Sequence, residues 1–343
     1  MTGPDRPLRV GVIGYGHWGP NLVRNFHSCP NVQVAAVCDR DPKRLAHARE
    51  RYPGTRMGDR AEEVTGDPTI DAVAIATPVA SHHALARAAL EGGKHVLVEK
   101  PFVRSIAQAL DLLDLAAARG RILMVDHTYL YAPAVEALRD LVARGELGKV
   151  LYAYSSRLNL GIFQPDVNVV WDLAPHDISI FNFVLGARPA SVQVRGARHV
   201  LPAVEDVAFV TLAYGGNVSV HLHLSWLDPC KVRRITLVGD RKMAVYDDLN
   251  AADPLRIYDT GVGRVADYDS YGEFRMLYRV GDAVSPHLPA VEPLRRACEA
   301  FVAATRNGAP PPPGAADGLD ILQVLEAAQA SVDRGGETVR IPY

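Results

Sequence analysis

Cysteine is scarce in this sequence, and neither sign of charge predominates. The four cysteines, Cys29, Cys38, Cys230 and Cys298, lie far apart and form no CxxC pair. This pattern indicates neither a zinc knuckle nor a disulfide framework. The 39 acidic and 37 basic residues leave a formal charge of −2. A chain so near neutrality is not expected to take nucleic acid or an anionic membrane surface as its main partner.

Long apolar runs are also missing. No uninterrupted apolar stretch reaches the roughly 18 residues that span a bilayer, and residues 1–8 are polar, without the apolar region of a signal peptide. Hydrophobic residues make up 48% of the chain and charged residues 22%, which is too apolar for an intrinsically disordered protein. We therefore expect a soluble cytoplasmic protein, and its 343 residues have room for two domains.

The first third of the chain alternates short apolar runs with amphipathic stretches of helical length. Its strands are hydrophobic throughout rather than at every second position, which is typical of a doubly wound parallel sheet. We predict five strands, at residues 8–13, 32–38, 72–76, 95–98 and 122–125. An α/β domain is therefore expected over residues 1–127.

Beyond residue 128 the pattern changes to strands in which apolar and polar positions alternate. Residues 208–214 and 218–226 are predicted to form a hairpin across Gly215–Asn217, because glycine accepts the positive φ of such turns. We therefore predict an α+β domain over residues 128–343, built on a large open and mostly antiparallel sheet.

A glycine-rich segment, GYGHWG at residues 14–19, directly follows the first predicted strand and opens the first predicted helix. In this context Gly14 makes a tight turn, Gly16 lets the backbone approach a pyrophosphate, and Gly19 permits close packing of helix and strand. The amides at the helix N-terminus then hold the phosphate charge. A glycine turn without a ligand is the alternative, and the complete strand–turn–helix context disfavours it.

The residue that ends the second predicted strand indicates the choice of cofactor. Asp39 follows Gly19 by twenty residues and can hydrogen-bond both ribose hydroxyls of NAD, and its charge repels a 2′-phosphate. The neighbouring Arg40 complicates this interpretation, because a guanidinium there can accommodate NADP. Arg40 can equally be a solvated loop charge, which we favour. NAD is therefore the expected cofactor, with NADP as the alternative.

Two further segments carry groups suited to proton transfer. Glu99-Lys100-Pro101 follows the fourth predicted strand, so Lys100 lies at the carboxyl end of the sheet, where a nicotinamide binds. The second segment is WDLAPHD at residues 171–177. Pro175 suits the first turn of a helix, and a helix that begins near Asp172 places His176 on the same face, one turn later. Each feature alone also has a structural interpretation, as a surface charge or a helix cap.

Together these motifs resemble the Gfo/Idh/MocA family of oxidoreductases, which includes glucose–fructose oxidoreductase and inositol dehydrogenase. The resemblance extends over nearly the whole chain. It implies an N-terminal Rossmann domain, a C-terminal domain with a large open sheet, and pyridine-nucleotide redox chemistry at a carbinol of a sugar or polyol. It also implies a final helix that folds back toward the first domain, and a homodimer or tetramer formed through the open sheet.

By position, Lys100, Asp172 and His176 match the catalytic trio of this family. His176 is expected to take the hydroxyl proton, because its ordinary pKa lies near neutrality, while Asp172 orients the ring and Lys100 stabilises the developing alkoxide. The residues expected to bind the cofactor are Gly14, Gly16, His17, Trp18, Gly19, Asp39, Arg40, Thr77, Pro78, His82, Glu99, Lys100, His127 and Trp171.

The segment after the fifth predicted strand, DHTYLY at residues 126–131, departs from the asparagine- or arginine-containing segment of many members. Together with WDLAPHD it resembles the branch that acts on nucleotide-linked or otherwise derivatised sugars. The expected substrate is therefore a nucleotide sugar or glycoside, oxidised at C3. An inositol or dihydrodiol dehydrogenase and a non-catalytic nucleotide-binding sensor are the alternatives, and the joint presence of the trio disfavours the sensor.

Several other polar residues are candidates for a functional role. The residues expected to contact the substrate are Lys100, Tyr152, Arg157, Asn159, Asp172 and His176. Arg157 can hold a phosphate or carboxylate, or it can form a surface ion pair. His221 and His223 share a strand face without a third ligand at suitable spacing, so no metal site is predicted, and a face covered by another subunit is preferred. Glu205 and Asp206 are expected in a turn and receive no role.

Overall fold

The chain divides into two compact units in a computed structural model that describes residues 6–161, 163, 167–264, 276–309, 311 and 314–343. The first unit comprises Met1–Tyr131 and Val291–Leu322, and the second comprises Ala132–Ala290 and Gln323–Tyr343. Within the described ranges, no helix combines the length and the apolar character needed to cross a membrane.

The described residues of the first unit form a six-stranded parallel sheet with helices between the strands. Up to residue 131 its elements are β1 (Leu8–Ile13), α1 (Gly19–Ser28), β2 (Val32–Cys38), α2 (Pro42–Arg51), β3 (Arg56–Gly58), α3 (Glu62–Thr65), β4 (Ala72–Ile75), α4 (His82–Glu91), β5 (His95–Val98), α5 (Ile106–Arg119) and β6 (Leu123–Val125). The strand order is β3-β2-β1-β4-β5-β6. The prediction of a doubly wound parallel sheet is confirmed, and the order reverses between β1 and β4.

One strand of this sheet was missed from the sequence. β3 has only three residues, none of them fully buried, and it pairs with β2 at the edge of the sheet. A short edge strand needs no run of apolar residues, so hydrophobic periodicity does not reveal it. By contrast, β4 is apolar throughout, and all four of its residues are buried.

A segment far along the chain also folds with the first unit. α8 (Pro293–Asn307) packs against α1, and the rings of Phe26 and Phe301 meet edge to face at 6.2 Å. Arg24 Nη1 donates to Glu292 Oε2 at 2.7 Å beside this contact. The predicted division, with residues 128–343 together, therefore differs from the observed units. The amphipathic pattern of α8 shows that one face is buried, but not which part of the chain covers it.

The described residues of the second unit form a nine-stranded sheet. Its elements are α6 (Pro133–Ala143), β7 (Val150–Leu160), α7 (Val169–Leu185), β8 (Ser191–Ala197), β9 (Val207–Tyr214), β10 (Val218–Ser225), β11 (Leu227–Gly239), β12 (Met243–Asp247), β13 (Leu255–Arg264), β14 (Met276–Val284) and β15 (Val339–Arg340). The order is β14-β13-β12-β11-β7-β10-β9-β8-β15, and β7 and β10 are the parallel pair. The prediction of a mostly antiparallel sheet is confirmed. The last helix, α9 (Ala315–Asp333), is divided between the units after Leu322.

The hairpin and the two faces of this sheet follow from local pattern. Gly216 and Asn217 have φ values of 69° and 65°, which the predicted turn between β9 and β10 requires. Along β10 the apolar alternate positions from Val220 to Leu224 are buried, whereas His221 is exposed. The buried face of the sheet packs on α7, which contacts both β9 and β10.

Candidate functional site

The glycine-rich turn of the first unit cannot accommodate side chains at two of its positions. Gly14 has a φ of 97°, and a Cβ there would lie 2.5 Å from the Ala76 carbonyl oxygen. A Cβ at Gly19 would lie 2.1 Å from the Gly14 carbonyl oxygen. Both distances are far below van der Waals contact, so the tight turn and the close helix–strand packing expected from the sequence depend on glycine.

This turn leads directly into α1, and the helix terminus fits an anionic ligand. Trp18 occupies the N-cap position, and its side chain makes no capping hydrogen bond. Pro20 has no amide hydrogen, and the Asn21 amide donates to the Trp18 carbonyl at 2.9 Å, so what favours a negative group in front of this terminus is chiefly the helix dipole. Gly16 has no side chain, so a pyrophosphate can approach the backbone of the turn from that side. The residues of this turn fit a dinucleotide.

Asp39 is buried at the end of β2 with both carboxylate oxygens engaged by backbone amides. Oδ2 accepts from the Tyr15 amide at 2.6 Å, and Oδ1 accepts from the Asp41 amide at 2.8 Å. Each carboxylate oxygen retains a second lone pair, which can accept from a ribose hydroxyl. These amide bonds tie the end of β2 to the glycine turn.

A second arginine lies beside Asp39. Arg44 Nη1 is 3.5 Å from Asp39 Oδ2, and the same atom would lie 3.3 Å from a Cβ on Gly16. Arg40, the arginine singled out from the sequence, is exposed. Arg44 was not predicted from the sequence, because only Arg40 is adjacent to Asp39 in the chain. The position of Arg44 in the first turn of α2, next to the end of β2, is the signal that would have found it.

Two buried carboxyl groups stand side by side where β5 and β6 end. Val98 and Val125 pair in register, and the Asp126 amide donates to the Val98 carbonyl at 2.8 Å, so Glu99 and Asp126 follow on neighbouring strands. Burial raises the pKa of Glu99 well above its usual range, and the charge of Asp126 raises it further. Both effects favour the neutral form of the Glu99 carboxyl, whereas the charge of Lys100 favours its carboxylate. Lys100 follows this pair directly.

The imidazole of His127 lies next along β6 and is also buried. Burial lowers its pKa to about 4, and the charge of Lys100 acts in the same direction. Neither ring nitrogen, nor the hydroxyl of Tyr131, has a hydrogen-bond partner among the residues that the structure describes. A neutral imidazole in such a place has one N–H donor and one acceptor for a polar ligand group. Its predicted contact with the cofactor stays a prediction that this chemistry supports.

His82 joins two loops of the first unit. Its imidazole is buried, with Nε2 2.7 Å from the Thr77 carbonyl oxygen and Nδ1 3.0 Å from the Pro101 carbonyl oxygen. Burial lowers the pKa of His82. The ring thus joins the turn after β4, at Thr77 and Pro78, to the segment that follows Lys100. His82 thus braces two loops, and its predicted contact with the cofactor stays a prediction.

In the second unit, α7 begins three residues before the expected position. Asn168 is the N-cap, and its Oδ1 accepts from the Trp171 amide at 3.1 Å. Pro175 consequently lies in the second turn of α7, not in the first. Asp172 and His176 remain one helical turn apart on one face, as predicted, and both are half-buried. This face is the part of the second unit suited to proton transfer.

The N-terminus of α7 is held by residues to which the sequence reasoning gave no role. Asn168 Nδ2 donates to Glu205 Oε2 at 3.0 Å, and the Val169 amide donates to the Glu205 carbonyl at 2.9 Å. Asp206 accepts from the amides of His199 and Val200 at 2.8 and 2.7 Å. Glu205 and Asp206 therefore anchor the start of α7 and the loop before β9. No local pattern marks the contact of Glu205 with α7, because Asn168 and Val169 lie more than thirty positions earlier.

Arg157 and Tyr152 do not occupy the places predicted for them. Arg157 is buried, and its Nη2 donates to Asp177 Oδ1 at 2.6 Å, while Ser155 donates to Asp177 Oδ2 at 3.0 Å. This buried ion pair replaces both earlier interpretations, the substrate anion and the surface pair. Tyr152 is exposed on the opposite face of β7, away from α7, because side chains alternate along a strand. Tyr152 therefore does not join Asp172 and His176.

The remaining site residues stay as predicted contacts. Asn159 shares the α7 side of β7, and its side-chain oxygen would lie 3.2 Å from a Cβ on Gly161. His17 is exposed at the glycine turn, and Trp171 is half-buried in the first turn of α7. Lys100 belongs to the first unit, whereas Asp172 and His176 belong to the second. Convergence of these three residues on one alcohol oxygen stays a prediction.

Comparison with known proteins addresses both units. Residues 8–127 match the Gfo/Idh/MocA profile described as "Oxidoreductase family, NAD-binding Rossmann fold", and residues 135–245 match the profile of the GFO/IDH/MocA C-terminal domain. A crystal structure of a protein from Magnetospirillum magnetotacticum MS-1, described as an oxidoreductase, is 31% identical with a TM-score of 0.80. That alignment covers 94% of this chain and 99% of the other.

Two curated relatives have named activities. The UDP-N-acetylglucosamine 3-dehydrogenase of Acidithiobacillus ferrooxidans is 29% identical over 261 residues, which cover 75% of this chain and 79% of that protein. The inositol 2-dehydrogenase of Mycolicibacterium smegmatis is 31% identical over 192 residues, which cover 54% and 55% of the two chains. The second alignment therefore spans only about half of each protein.

Proposed function

The chain belongs to the Gfo/Idh/MocA family and is an NAD-binding oxidoreductase, and from this premise we propose that it oxidises a secondary hydroxyl of a sugar or reduces the corresponding ketone. The expected substrate is a nucleotide-linked sugar or a glycoside, and C3 is the expected position. The observation that carries the proposal is Asp172 and His176 on one face of α7, together with Lys100 at the carboxyl end of β5. The similarity to a UDP-N-acetylglucosamine 3-dehydrogenase over three quarters of the chain supports the substrate class.

The proton chemistry follows from what oxidation of an alcohol requires. NAD, when bound, supplies the hydride acceptor at its nicotinamide C4. The hydroxyl proton must leave to a base within hydrogen-bond reach, and His176 is that base in the proposal. Asp172, one turn earlier, stabilises the imidazolium, and Lys100 donates a hydrogen bond to the oxygen on which negative charge develops. In ketone reduction the same groups return the proton.

The raised pKa of Glu99 limits the negative charge next to Lys100. Burial and the charge of Asp126 favour the neutral form of Glu99, whereas the charge of Lys100 favours its carboxylate. Asp126 Oδ1 also accepts from the Thr128 hydroxyl at 2.8 Å, which fixes the carboxylate. The pair therefore supports an ammonium at the position from which Lys100 is proposed to act.

A polyol such as an inositol is the second candidate, because an inositol 2-dehydrogenase is 31% identical over half of the chain. Turnover with NAD should be measured by NADH fluorescence against nucleotide sugars, free sugars, glycosides and inositols. We expect the highest kcat/KM with a nucleotide sugar or glycoside, and a ketone product at C3 by mass spectrometry and NMR. A preference for inositol would replace the proposed substrate, and no turnover with any carbinol would refute the proposed reaction.

The roles of Lys100 and His176 are tested by substitution. Lys100→Ala and His176→Ala should each lower kcat by roughly 10²–10⁴, because each removes a group that acts on the reacting oxygen. NADH binding, followed by fluorescence titration, should stay nearly intact in both variants. Lys43→Ala and His27→Ala change an exposed lysine and histidine and serve as controls. Full turnover in both site variants would contradict the mechanism.

Association of two copies through the open sheet face is the proposed quaternary arrangement. Tyr152, Tyr154 and Phe209 are each more than two fifths exposed on this face, and Phe209 stacks on His223 at 4.4 Å. Thr211 and His221, which hydrogen-bond at 3.1 Å, continue the same face. Covering these rings supplies apolar area for a homodimer or tetramer. Phe209→Asp with Tyr154→Asp should lower the mass observed by sedimentation equilibrium to that of a monomer, and an unchanged mass would exclude this face.

A further inference from the structure

The indole of Trp226 reaches the face of α7 that carries Asp172. Trp226 lies between β10 and β11 and is only 1% exposed. Its Nε1–H donates to Asp172 Oδ2 at 3.0 Å. A buried indole has one donor and no acceptor, so this bond satisfies its single polar group. For the carboxylate, the same bond fixes one of its two oxygens.

The orientation of this indole is set by contacts other than Asp172. The Trp226 amide donates to the Asp206 carbonyl at 2.9 Å, and its carbonyl accepts from the Gly161 amide at 2.9 Å. Phe163 meets the indole edge to face at 5.8 Å. A Cβ on Gly161 would lie 3.0 Å from Trp226 Cδ1, so the backbone of β7 runs close against the ring. The donor is therefore held in place by the sheet, and the carboxylate on the helix conforms to it.

From this geometry we infer that Trp226 is a positioning residue for Asp172. The inference rests on the proposed dehydrogenase function, in which Asp172 stabilises the imidazolium of His176. Asp172 is half-buried near the start of α7, and its side chain has rotamers that turn it to solvent. A charge-assisted hydrogen bond from a rigid donor selects one of these rotamers and holds it through turnover.

The pairing itself can be tested without any substrate. The chain has three tryptophans, so the full-length protein gives three indole N–H signals in a ¹H–¹⁵N spectrum, and Trp226→Phe identifies one of them. We expect the Trp226 signal to move upfield and to exchange faster with solvent in Asp172→Ala, because its acceptor is lost. An unchanged Trp226 signal in Asp172→Ala would overturn the inference. The Asp172→Ala spectrum keeps the indole in place, and the Trp226 variant serves only to assign its signal.

The catalytic consequence is tested by a double-mutant cycle on the same reaction. Trp226→Phe should lower kcat roughly tenfold with the KM for NAD unchanged, since a hydrogen bond to a charged group is lost. In an Asp172→Ala background the same change should have no further effect, because the group through which Trp226 acts is gone. Independent, additive losses in the two backgrounds would assign Trp226 to packing and overturn the inference.

Phe163→Leu is the matched control for packing. It removes the aromatic partner of the indole and keeps the donor and the carboxylate, so kcat should fall less than in Trp226→Phe. An equal fall in both variants, at comparable melting temperatures, would contradict the hydrogen-bond role. If the unmodified enzyme turned over no carbinol, the proposed function would fail, and the indole signal in Asp172→Ala would still decide whether the pair exists.

Discussion

Buried polar groups around α7 in the second unit differ from those where β5 and β6 end in the first unit. Around α7 they are paired: Arg157 with Asp177, Asn168 with Glu205, and the Trp226 indole with Asp172. Where β5 and β6 end, one oxygen each of Glu99 and Asp126 and both ring nitrogens of His127 are buried without a hydrogen-bond partner among the described residues. Unpaired buried polar groups cost free energy unless a ligand or water satisfies them.

This contrast separates polar groups that the protein itself orients from polar groups that are left for a ligand. The second unit orients Asp172 and the start of α7 with its own side chains, so this face is preorganised. The first unit leaves donors and acceptors at the strand ends, where the dinucleotide-binding turn also lies. We therefore expect binding to stabilise the first unit, because a dinucleotide in the predicted position would supply the partners that folding alone leaves out.

The largest expected effect tests whether the second unit depends on its internal pairs. Arg157→Leu leaves the buried Asp177 carboxylate without its guanidinium, which should lower the free energy of unfolding by about 3–5 kcal/mol. Urea denaturation checks this value. Arg234→Ala, which removes an exposed pair with Asp247, is the control and should cost about 0–1 kcal/mol. Equal small losses would remove the contrast between the units.

The next effect concerns His127 and the dependence of stability on pH. Its pKa is about 4 in the folded chain and about 6.5 when unfolded, so between these values the unfolded chain binds the additional proton. Stability therefore falls as the pH drops through this window. At pH 5 the loss from His127 should be about 2 kcal/mol relative to pH 7.5.

Urea denaturation of the wild type and of His127→Gln at both pH values measures this loss. The variant should lose about 2 kcal/mol less than the wild type between pH 7.5 and pH 5. At pH 7.5 the imidazole is neutral in both states, so a difference there reports packing and hydrogen bonding only. Parallel losses in the two proteins would show that His127 is not held neutral by burial.

The smallest effect compares the helix caps of the two units. Asn168→Ala removes the cap of α7 and also its bond to Glu205, and should cost about 1–2 kcal/mol. Asp41→Ala removes the partly exposed cap of α2 and should cost about 0.5–1 kcal/mol. Thermal unfolding of both variants gives the comparison. A larger loss for Asp41→Ala than for Asn168→Ala would contradict the view that the N-terminus of α7 is fixed more firmly than that of α2.

The parts of the site that local sequence predicted are those with a local cause. The glycine turn was predicted because a strand, a tight turn and the first turn of a helix follow one another within a few residues. The close approaches at Gly14 and Gly19 bear this out. The i, i+4 relation of Asp172 and His176 needed only a helix, so an error of three residues in its start did not alter it. In both cases the spacing along the chain determines the spacing in space.

The failures have a common physical origin in contacts between distant residues. Arg157 looked like a ligand-binding arginine because nothing in its vicinity along the chain shows Asp177 facing it across the helix–sheet contact. The contact of the His82 ring with the Pro101 carbonyl could not be predicted either, because that carbonyl belongs to a different loop. Tyr152 was assigned to the site because strand alternation separates two faces without showing which face the helix covers.

The sequence by itself determined the doubly wound sheet, the dinucleotide-binding turn and the family, because apolar periodicity and short motifs are properties of neighbouring residues. Only the tertiary structure decided that α8 joins the first unit, that Arg157 is paired with Asp177 and that Trp226 reaches Asp172. Each of these depends on which surface covers another, and a buried face or an ionisable group specifies the need for a partner without specifying where in the chain that partner lies.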